Sequence, residues 1–91
     1  MNAKTIYKYV LELGEQFVKM PIGSVPLDVQ VDAKNGAITL WALVDPQAEL
    51  QEVRFDVVGT GHSLPDSCSP NFYLGTVQQG PFVWHVFGRL G

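Results

Sequence analysis

The sequence has one cysteine, few charged residues and no long apolar run. Because Cys68 is the only cysteine, the chain cannot form an internal disulfide, and a reducing compartment is the default expectation. No apolar stretch approaches the roughly 20 residues that a membrane-spanning helix needs. The start, MNAKTIYKYVLEL, also lacks the basic and apolar regions of a signal peptide. These absences predict a soluble protein of the cytoplasm.

Basic residues are also scarce: six Lys and Arg stand against nine Asp and Glu, which gives a formal net charge of -3. A protein that holds nucleic acid by its phosphates usually carries a basic surplus, so polymeric DNA or RNA is not an expected partner. This count does not exclude a small anion as a ligand, because a few cations can still cluster in space.

The length of 91 residues predicts one β domain, spanning residues 1–91. Hydrophobic residues make up 46% of the chain and charged residues 16%, a balance typical of a globular protein rather than a disordered one. A domain this small buries only about 60% of its unfolded surface, so association with a second copy would add to its stability. We therefore expect a homo-oligomer.

Alternation of apolar and polar residues dominates the chain, and this period of two is typical of β-strands. The segments that carry it are TIYKYVLEL, EQFVKMP, SVPLDVQVD, AITLWALVD, EVRFDVV, NFYLGTVQ and FVWHVF. Turn residues separate them at close spacing. The pattern predicts an all-β fold, a single small antiparallel β-sandwich or barrel of six to seven short strands with little helix.

Three local patterns make more specific predictions. In SVPLDVQVD every second residue is apolar, which predicts a strand with one buried face. The residues of that face are Val25, Leu27, Val29 and Val31. Asn35 and Gly36 predict a hairpin with a type I′ turn, because both residue types tolerate a positive φ. The segment QAELQ is expected to form one short helical turn.

The segment VVGTGHSLP, at residues 57–65, contains a Gly-Thr-Gly sequence followed by His62. It lacks the third glycine of a dinucleotide-binding fingerprint and the Lys-Ser/Thr pair of a P-loop, so neither site is predicted. Two interpretations stay open. The glycines can serve only to bend the chain between two strands, or the backbone N–H groups of the turn, together with the Thr60 hydroxyl, can bind an anion.

Catalytic and metal-binding patterns are absent from the sequence. His62 and His85 are the only histidines, and their spacing from Cys68 and the acidic residues matches no metal motif. Several serines lie near His62, but nearness in a loop does not supply a nucleophile, a base and an orienting group. We predict no catalytic residue, no metal, no cofactor and no enzymatic activity, and we expect Cys68 to be an exposed thiol.

Aromatic residues are numerous for a chain of this size: two Trp, three Tyr and five Phe. Most are expected in the core. Those that border a pocket can stack on a purine ring, while an arginine such as Arg54 pairs with a phosphate. The candidate ligand-binding residues are Gly59, Thr60, Gly61, His62, Arg54, Trp41, Tyr73, Thr76, Trp84 and His85.

Three segments, LWALVDP at 40–46, VRFDVVGTGH at 53–62 and YLGTVQQGPFVWHVF at 73–87, together resemble a small uncharacterised protein family encoded by bacteriophages and prophages. The resemblance covers most of the chain from Trp41 onward, and the opening KTIYKYVLEL is also similar. It implies a short accessory phage protein that works in the cytoplasm of the host bacterium. The loop GHSLPDSCSPNFYLGT departs from the family pattern, which leaves the identity of any ligand open.

Small accessory phage proteins often counter host defence, and some sequester nucleotide signals, usually as homo-oligomers. By analogy, the resemblance implies a non-enzymatic protein that binds a small phosphorylated nucleotide used in immune signalling. The alternative is a protein-interaction module, either an inhibitor of a host protein or a minor phage assembly factor, which would use exposed edge strands to pair with a partner's sheet. Neither implies a membrane partner.

Overall fold

The computed structural model describes residues 3–90, which form seven β-strands and one short 3-10 helix, Pro70–Phe72. The strands are β1 (Thr5–Leu11), β2 (Gly14–Pro21), β3 (Val25–Val31), β4 (Ile38–Val44), β5 (Leu50–Gly59), β6 (Tyr73–Gln79) and β7 (Phe82–Gly88). They build a three-stranded sheet in the order β1-β4-β3 and a four-stranded sheet in the order β2-β5-β7-β6. All pairs are antiparallel, so the predicted all-β fold is confirmed. Within these residues, no helix is long and apolar enough to cross a membrane.

The hydrophobic core joins the inward faces of both sheets. In β4 every second residue from Ile38 to Val44 is buried, and in β5 Phe55 is completely buried. Phe55 pairs with Gly88 of β7, where a Cβ atom would come within 2.6 Å of the phenyl ring. Because side chains alternate along each strand, the remaining side chains of each sheet face outward. In β7, His85 and Phe87 lie on this outward face, whereas Trp84 packs against the core.

A β-bulge at Leu27 overturns the prediction of one continuous apolar face on β3. The register shifts between Pro26 and Asp28, which leaves Leu27 as an extra residue opposite β4. Val29, beyond the bulge, is buried, whereas Val25, before it, is 46% exposed on the other face of the sheet. One inserted residue moves every later side chain of the strand to the opposite face of the sheet. The apolar residues still alternate in the sequence, so the pattern does not reveal the bulge.

Two predicted turns take a different form. The Asn35-Gly36 hairpin forms, but it is not type I′, because among the described residues only glycines have a positive φ, with Gly36 at 73°. Asn35 instead accepts a hydrogen bond from Ala37 N through its side-chain Oδ1 at 3.0 Å. The segment QAELQ forms no helical turn, and β5 already begins within it at Leu50.

The loop between β5 and β6 packs back on the protein and buries Cys68, which was expected to be exposed. Cys68 is 8% exposed and lies beside the Asp56 carboxylate, and burial together with that negative charge raises the pKa of the thiol. Arg89 holds the loop by donating to Ser67 O at 2.6 Å and by lying 4.8 Å from the centre of the Phe72 ring. The polar composition of the loop gives no sign of this packing.

Candidate ligand-binding site

The turn at residues 59–62 leads the chain out of β5. His62 N donates to Gly59 O at 3.1 Å, and Gly61 has a φ of 87°. A positive φ at the third residue is the mark of a type II turn and favours glycine there. Thr60 N donates to a carbonyl of β7 at 3.2 Å. The backbone is therefore a hydrogen-bonded bend, and two of the N–H groups considered for an anion site are already bonded within the protein.

Four side chains form a hydrogen-bonded row beside this turn, which we call the hydroxyl chain (Thr60, His85, Thr76, Tyr73). Thr60 Oγ1 lies 2.7 Å from His85 Nε2, and Thr76 Oγ1 lies 3.0 Å from His85 Nδ1. Tyr73 OH lies 2.5 Å from Thr76 Oγ1. The sheet register produces this order, because Thr76 pairs directly with His85 across β6 and β7. Hydroxyls hold both ring nitrogens of His85 and so fix the orientation of the imidazole.

Two aromatic rings lie on the other side of the same turn, and we call them the aromatic pair (Phe82, Trp84). Their ring centres are 5.9 Å apart with an angle of 29° between the planes, a stacked arrangement. Trp84 Nε1 donates to Gln79 Oε1 at 3.0 Å, which fixes the indole. Phe82 is 58% exposed, so the pair offers an accessible ring surface next to an anchored one.

Gly59 is the point at which the turn meets the aromatic pair. A Cβ atom at this position would lie 3.0 Å from Trp84 Cζ3 and 3.1 Å from His62 Nδ1. The missing side chain therefore allows an indole and an imidazole to approach the same stretch of backbone. The φ of Gly59 is not in the positive range, so close approach rather than backbone conformation is the reason for a glycine here.

Three cavities surround the turn, and Gly59 and His62 line all of them. The first has a volume of 340 Å³ and is bordered by the aromatic pair. The second has a volume of 280 Å³ and is bordered by two members of the hydroxyl chain. The third, also 340 Å³, is bordered by Glu15 and Asp56. The first two also share Thr60, but Trp84 and His85 are consecutive residues of β7, so these cavities lie on opposite sides of the sheet at the turn.

The cavities differ in electrostatic character. No lysine or arginine borders any of the three within the described residues. Two carboxylates border the third cavity, which disfavours an anion there. The first and second cavities offer a hydroxyl, imidazole rings and aromatic surface instead. They therefore suit a ligand with planar rings and a low negative charge better than a polyanion.

Arg54 and Trp41 lie apart from the other candidate residues. Arg54 Nη2 lies 2.6 Å from Glu15 Oε2, and Arg54 Nε lies 3.1 Å from Asp56 Oδ2. The hydrogen bond to Asp56 raises the pKa of Arg54 above its ordinary value. Trp41 is in β4, on the outer face of the other sheet. In this arrangement Arg54 joins two carboxylates, and neither residue borders a cavity at the turn.

Sequence reasoning missed several residues that line the cavities, among them Phe82, Leu64 and Phe87. Phe82 precedes Trp84 by two positions in one strand, so the period-two pattern already puts both rings on one face. The loop residue Leu64 borders the same cavity as Phe87 because the loop lies near β7, and no local pattern indicates that proximity.

The site is built for hydrogen bonding and stacking. Within residues 3–90, no group of three or more His, Cys, Asp or Glu side chains is placed to hold a metal ion. The hydrogen bond between Thr60 and His85 resembles the one between a catalytic nucleophile and its base. The other ring nitrogen of His85, Nδ1, however, contacts the Thr76 hydroxyl and not a carboxylate. An imidazolium formed by proton transfer would therefore lack the counter-charge of a catalytic triad.

The family model described as "Domain of unknown function (DUF7352)" matches residues 2–90. The match includes every strand and the turn at residues 59–62. The chain belongs to the DUF7352 family. No curated protein and no solved structure matches this DUF7352 chain. The family description names no activity, so a function for the DUF7352 domain has to be argued from its site.

Proposed function

We propose that this DUF7352 protein binds a small phosphorylated nucleotide and sequesters it without altering it chemically. The observation that carries the proposal is that the hydroxyl chain and the aromatic pair lie on the two sides of one turn, where cavities of 340 and 280 Å³ share Gly59, Thr60 and His62. Small-molecule sites combine apolar walls with a few fixed polar groups, and typical volumes begin at about 300 Å³. The base would lie on the aromatic side and the sugar-phosphate on the hydroxyl side.

The aromatic side supplies a stacking surface for the base. Phe82 is exposed, while Trp84 is held by Gln79, so a base that stacks on Phe82 meets a surface that is already ordered. Stacking of a base on an aromatic ring contributes about 1–3 kcal/mol and tolerates different bases. Such a surface can therefore accept adenine or guanine derivatives.

The hydroxyl side supplies partners for ribose hydroxyls and phosphate oxygens. Thr60 and His62 project from the turn, and both border the first and second cavities. Because no lysine or arginine borders them, a triphosphate would be poorly compensated. A cyclic nucleotide, in which each phosphate is a singly charged diester, or an ADP-ribose derivative fits the chemistry better.

The biological setting of the proposal comes from the resemblance to phage and prophage proteins. Bacteria signal infection with small nucleotides, and a protein that holds such a signal lowers its free concentration. Sequestration needs affinity and abundance but no turnover, which agrees with a site that has hydroxyls and rings but no catalytic carboxylate on His85. The protein would act in the cytoplasm of the host.

Isothermal titration calorimetry tests the proposal. Purified protein is titrated with cyclic di- and oligonucleotides, ADP-ribose derivatives and ATP. We expect saturable binding of at least one cyclic nucleotide or ADP-ribose derivative, weaker binding of ATP, and recovery of the bound ligand with unchanged mass. No binding across the panel, or a chemically altered ligand, would contradict the proposal.

Two variants with one matched control locate the binding. Phe82→Ala and Thr60→Val should each weaken binding by about tenfold, since each contact is expected to contribute about 1–1.5 kcal/mol. Phe17→Ala is the control because Phe17 is also 58% exposed but lies in β2, away from the turn. Equal losses for Phe82→Ala and Phe17→Ala would show that the binding site lies elsewhere.

A further inference from the structure

The outer face of the three-stranded sheet is largely apolar, and several of its apolar side chains are exposed. Ile6, Val10 and Val25 on this face are 56%, 53% and 46% exposed. Trp41 and Leu43 of the central strand lie half-buried between them. Ile6, Leu43 and Val25 lie side by side across the three strands, and Val10, opposite Thr39, is diagonal to Trp41. Exposed apolar patches of this kind mark interaction surfaces. We call this surface the β1-β4-β3 face.

One charged residue lies on each side of the centre of the β1-β4-β3 face. Lys8 of β1 and Asp28 of β3 both pair with Trp41, so the three residues form one row across the sheet. Asp28 accepts hydrogen bonds only from its own strand among the described residues, from Val29 N at 2.8 Å and Gln30 Nε2 at 2.6 Å. In the same part of the chain Lys8 has no ion pair. The row therefore has a positive charge at one end and a negative charge at the other, and neither charge forms an ion pair within the described residues.

We propose that the occupant of the β1-β4-β3 face is the same face of a second copy, packed about a twofold axis that runs along β4. A half-turn about this axis places β1 of one copy over β3 of the other. Residues at the same height along the strands stay opposite each other. Lys8 of each copy then lies opposite Asp28 of the other, and Trp41 meets Trp41. Ile6 similarly meets Val25 of the second copy. The interface is isologous, with two identical ion pairs at its sides.

The position of the charges favours a second copy over an unrelated partner. The charges have opposite sign and lie at equal distance from the central strand, one neighbouring strand away, so the twofold operation matches each with its complement. The bulge at Leu27 is what brings Asp28 and Val25 to this face together. Aligned packing of two sheets, with strands within about 30° of each other, is a standard arrangement and is compatible with this axis.

The size of the face sets the expected affinity. Three strands of seven residues cover about 14 Å by 24 Å, a flat footprint of about 340 Å² per copy that is smaller than the roughly 800 Å² per partner of a standard interface. The dimer should therefore be reversible, with a dissociation constant in the micromolar range. The cavities at residues 59–62 lie on strands and loops of the four-stranded sheet and stay open, so the dimer does not depend on the proposed ligand.

Sedimentation velocity over a range of concentrations tests the dimer. We expect the wild-type mass to approach that of a dimer at high concentration and to fall to that of a monomer on dilution. Lys8→Glu and Asp28→Lys should each weaken the dimer at least tenfold, because each places like charges opposite one another twice. The double variant Lys8→Glu/Asp28→Lys should regain the wild-type affinity.

Mixing the two single variants distinguishes contacts between copies from contacts within one chain. In an equimolar mixture, Lys8→Glu chains and Asp28→Lys chains complement each other at both pairs, so the mixture should form heterodimers although each variant alone is monomeric. Asp28→Asn keeps an oxygen for the hydrogen bond from Val29 N and removes the charge, so it should weaken the dimer without placing a lysine at the bulge. Lys19→Glu, an exposed charge reversal on β2, is the control and should leave the mass unchanged. A wild-type protein that stays monomeric at high concentration, or a dimer that tolerates Lys8→Glu, would overturn the proposal.

Discussion

Thr60 Oγ1 lies 2.7 Å from Nε2 of His85, although the two residues are separated by 25 positions in the sequence. One belongs to the turn after β5 and the other to the middle of β7, which is hydrogen-bonded to β5. Together with the hydrogen bond from Thr60 N to Val83 O, this contact ties the turn to the sheet, and it connects the turn with the Thr76 and Tyr73 hydroxyls.

Thr60→Val removes the hydroxyl that contacts His85 and keeps the branched shape of the side chain. We expect the free energy of unfolding to fall by about 0.5–1.5 kcal/mol, the usual net value of one hydrogen bond, because His85 Nε2 loses its partner. Urea denaturation measures the change. Thr60→Ser retains the hydroxyl and should lose less, and equal losses for the two variants would contradict a role for the hydrogen bond.

Gly88→Ala should destabilise the protein because the new Cβ atom would lie 2.6 Å from Phe55 and 2.9 Å from Leu74. Overpacking of this kind typically costs about 1–3 kcal/mol. The double variant Gly88→Ala/Phe55→Leu should be less destabilised than the sum of its single variants, since the smaller side chain makes room. Gly75→Ala is the control, because the nearest atom to its Cβ would be Val29 Cβ at an ordinary 3.7 Å. Thermal or urea unfolding of all four variants provides the comparison, and strict additivity would argue against the steric explanation.

Arg54→Met should lower the free energy of unfolding more than Glu15→Gln. The Asp56 side chain is only 6% exposed and receives two hydrogen bonds from Arg54, so the substitution leaves a buried carboxylate without its cation. The Glu15 side chain is 54% exposed, and water replaces its contact readily. Arg54→Lys should lie between the two because it restores the charge but not the two-pronged contact. Urea midpoints that rank Glu15→Gln as the most damaging would contradict this account.

Stability should decline at alkaline pH partly through Cys68. Burial, followed by the Asp56 charge, raises the pKa of its thiol in the folded protein, so the unfolded chain releases this proton at lower pH than the folded one. Above the ordinary thiol pKa of about 8.5 the unfolded state then binds fewer protons, and the free energy of unfolding falls as pH rises. The contribution is fully present below that pH.

Denaturation of the wild type and of Cys68→Ala at a series of pH values measures this effect. Burial, and next the neighbouring Tyr7, also raise the pKa of Tyr9, so both proteins lose stability at the highest pH. The variant should show a shallower decline where only the thiol titrates. Parallel curves for the two proteins would exclude Cys68 as the source.

Much of the fold was predictable because the period of two is imposed by strand geometry and shows directly in the sequence. Hairpin turns and central β4 likewise carry their own local signals. The bulge at Leu27 was not predictable, because an unpaired residue depends on the register of two strands and changes nothing in the composition of either. Val25 was therefore assigned to the core, while the structure exposes it on the β1-β4-β3 face.

The candidate site was predictable in part. Gly59, Thr60, Gly61 and His62 were found through the turn they share, and Trp84 through its aromatic ring. Arg54 was chosen for its charge, which the sequence cannot assign to a partner. Glu15 lies 2.6 Å away because β2 pairs beside β5, and this sheet contact is what joins Arg54 to a carboxylate rather than to the cavities.

The sequence by itself determined the class of structure, the small number of charges and the set of hydroxyls, imidazoles and rings available to a ligand. These properties depend on the composition of the chain and on how neighbouring residues alternate along it. Only the tertiary structure decided which of them meet: the pairing of β5, β6 and β7 aligned Thr60, His85, Thr76 and Tyr73. Such contacts depend on strand order and register, and these are set by packing of the whole core rather than by any one segment.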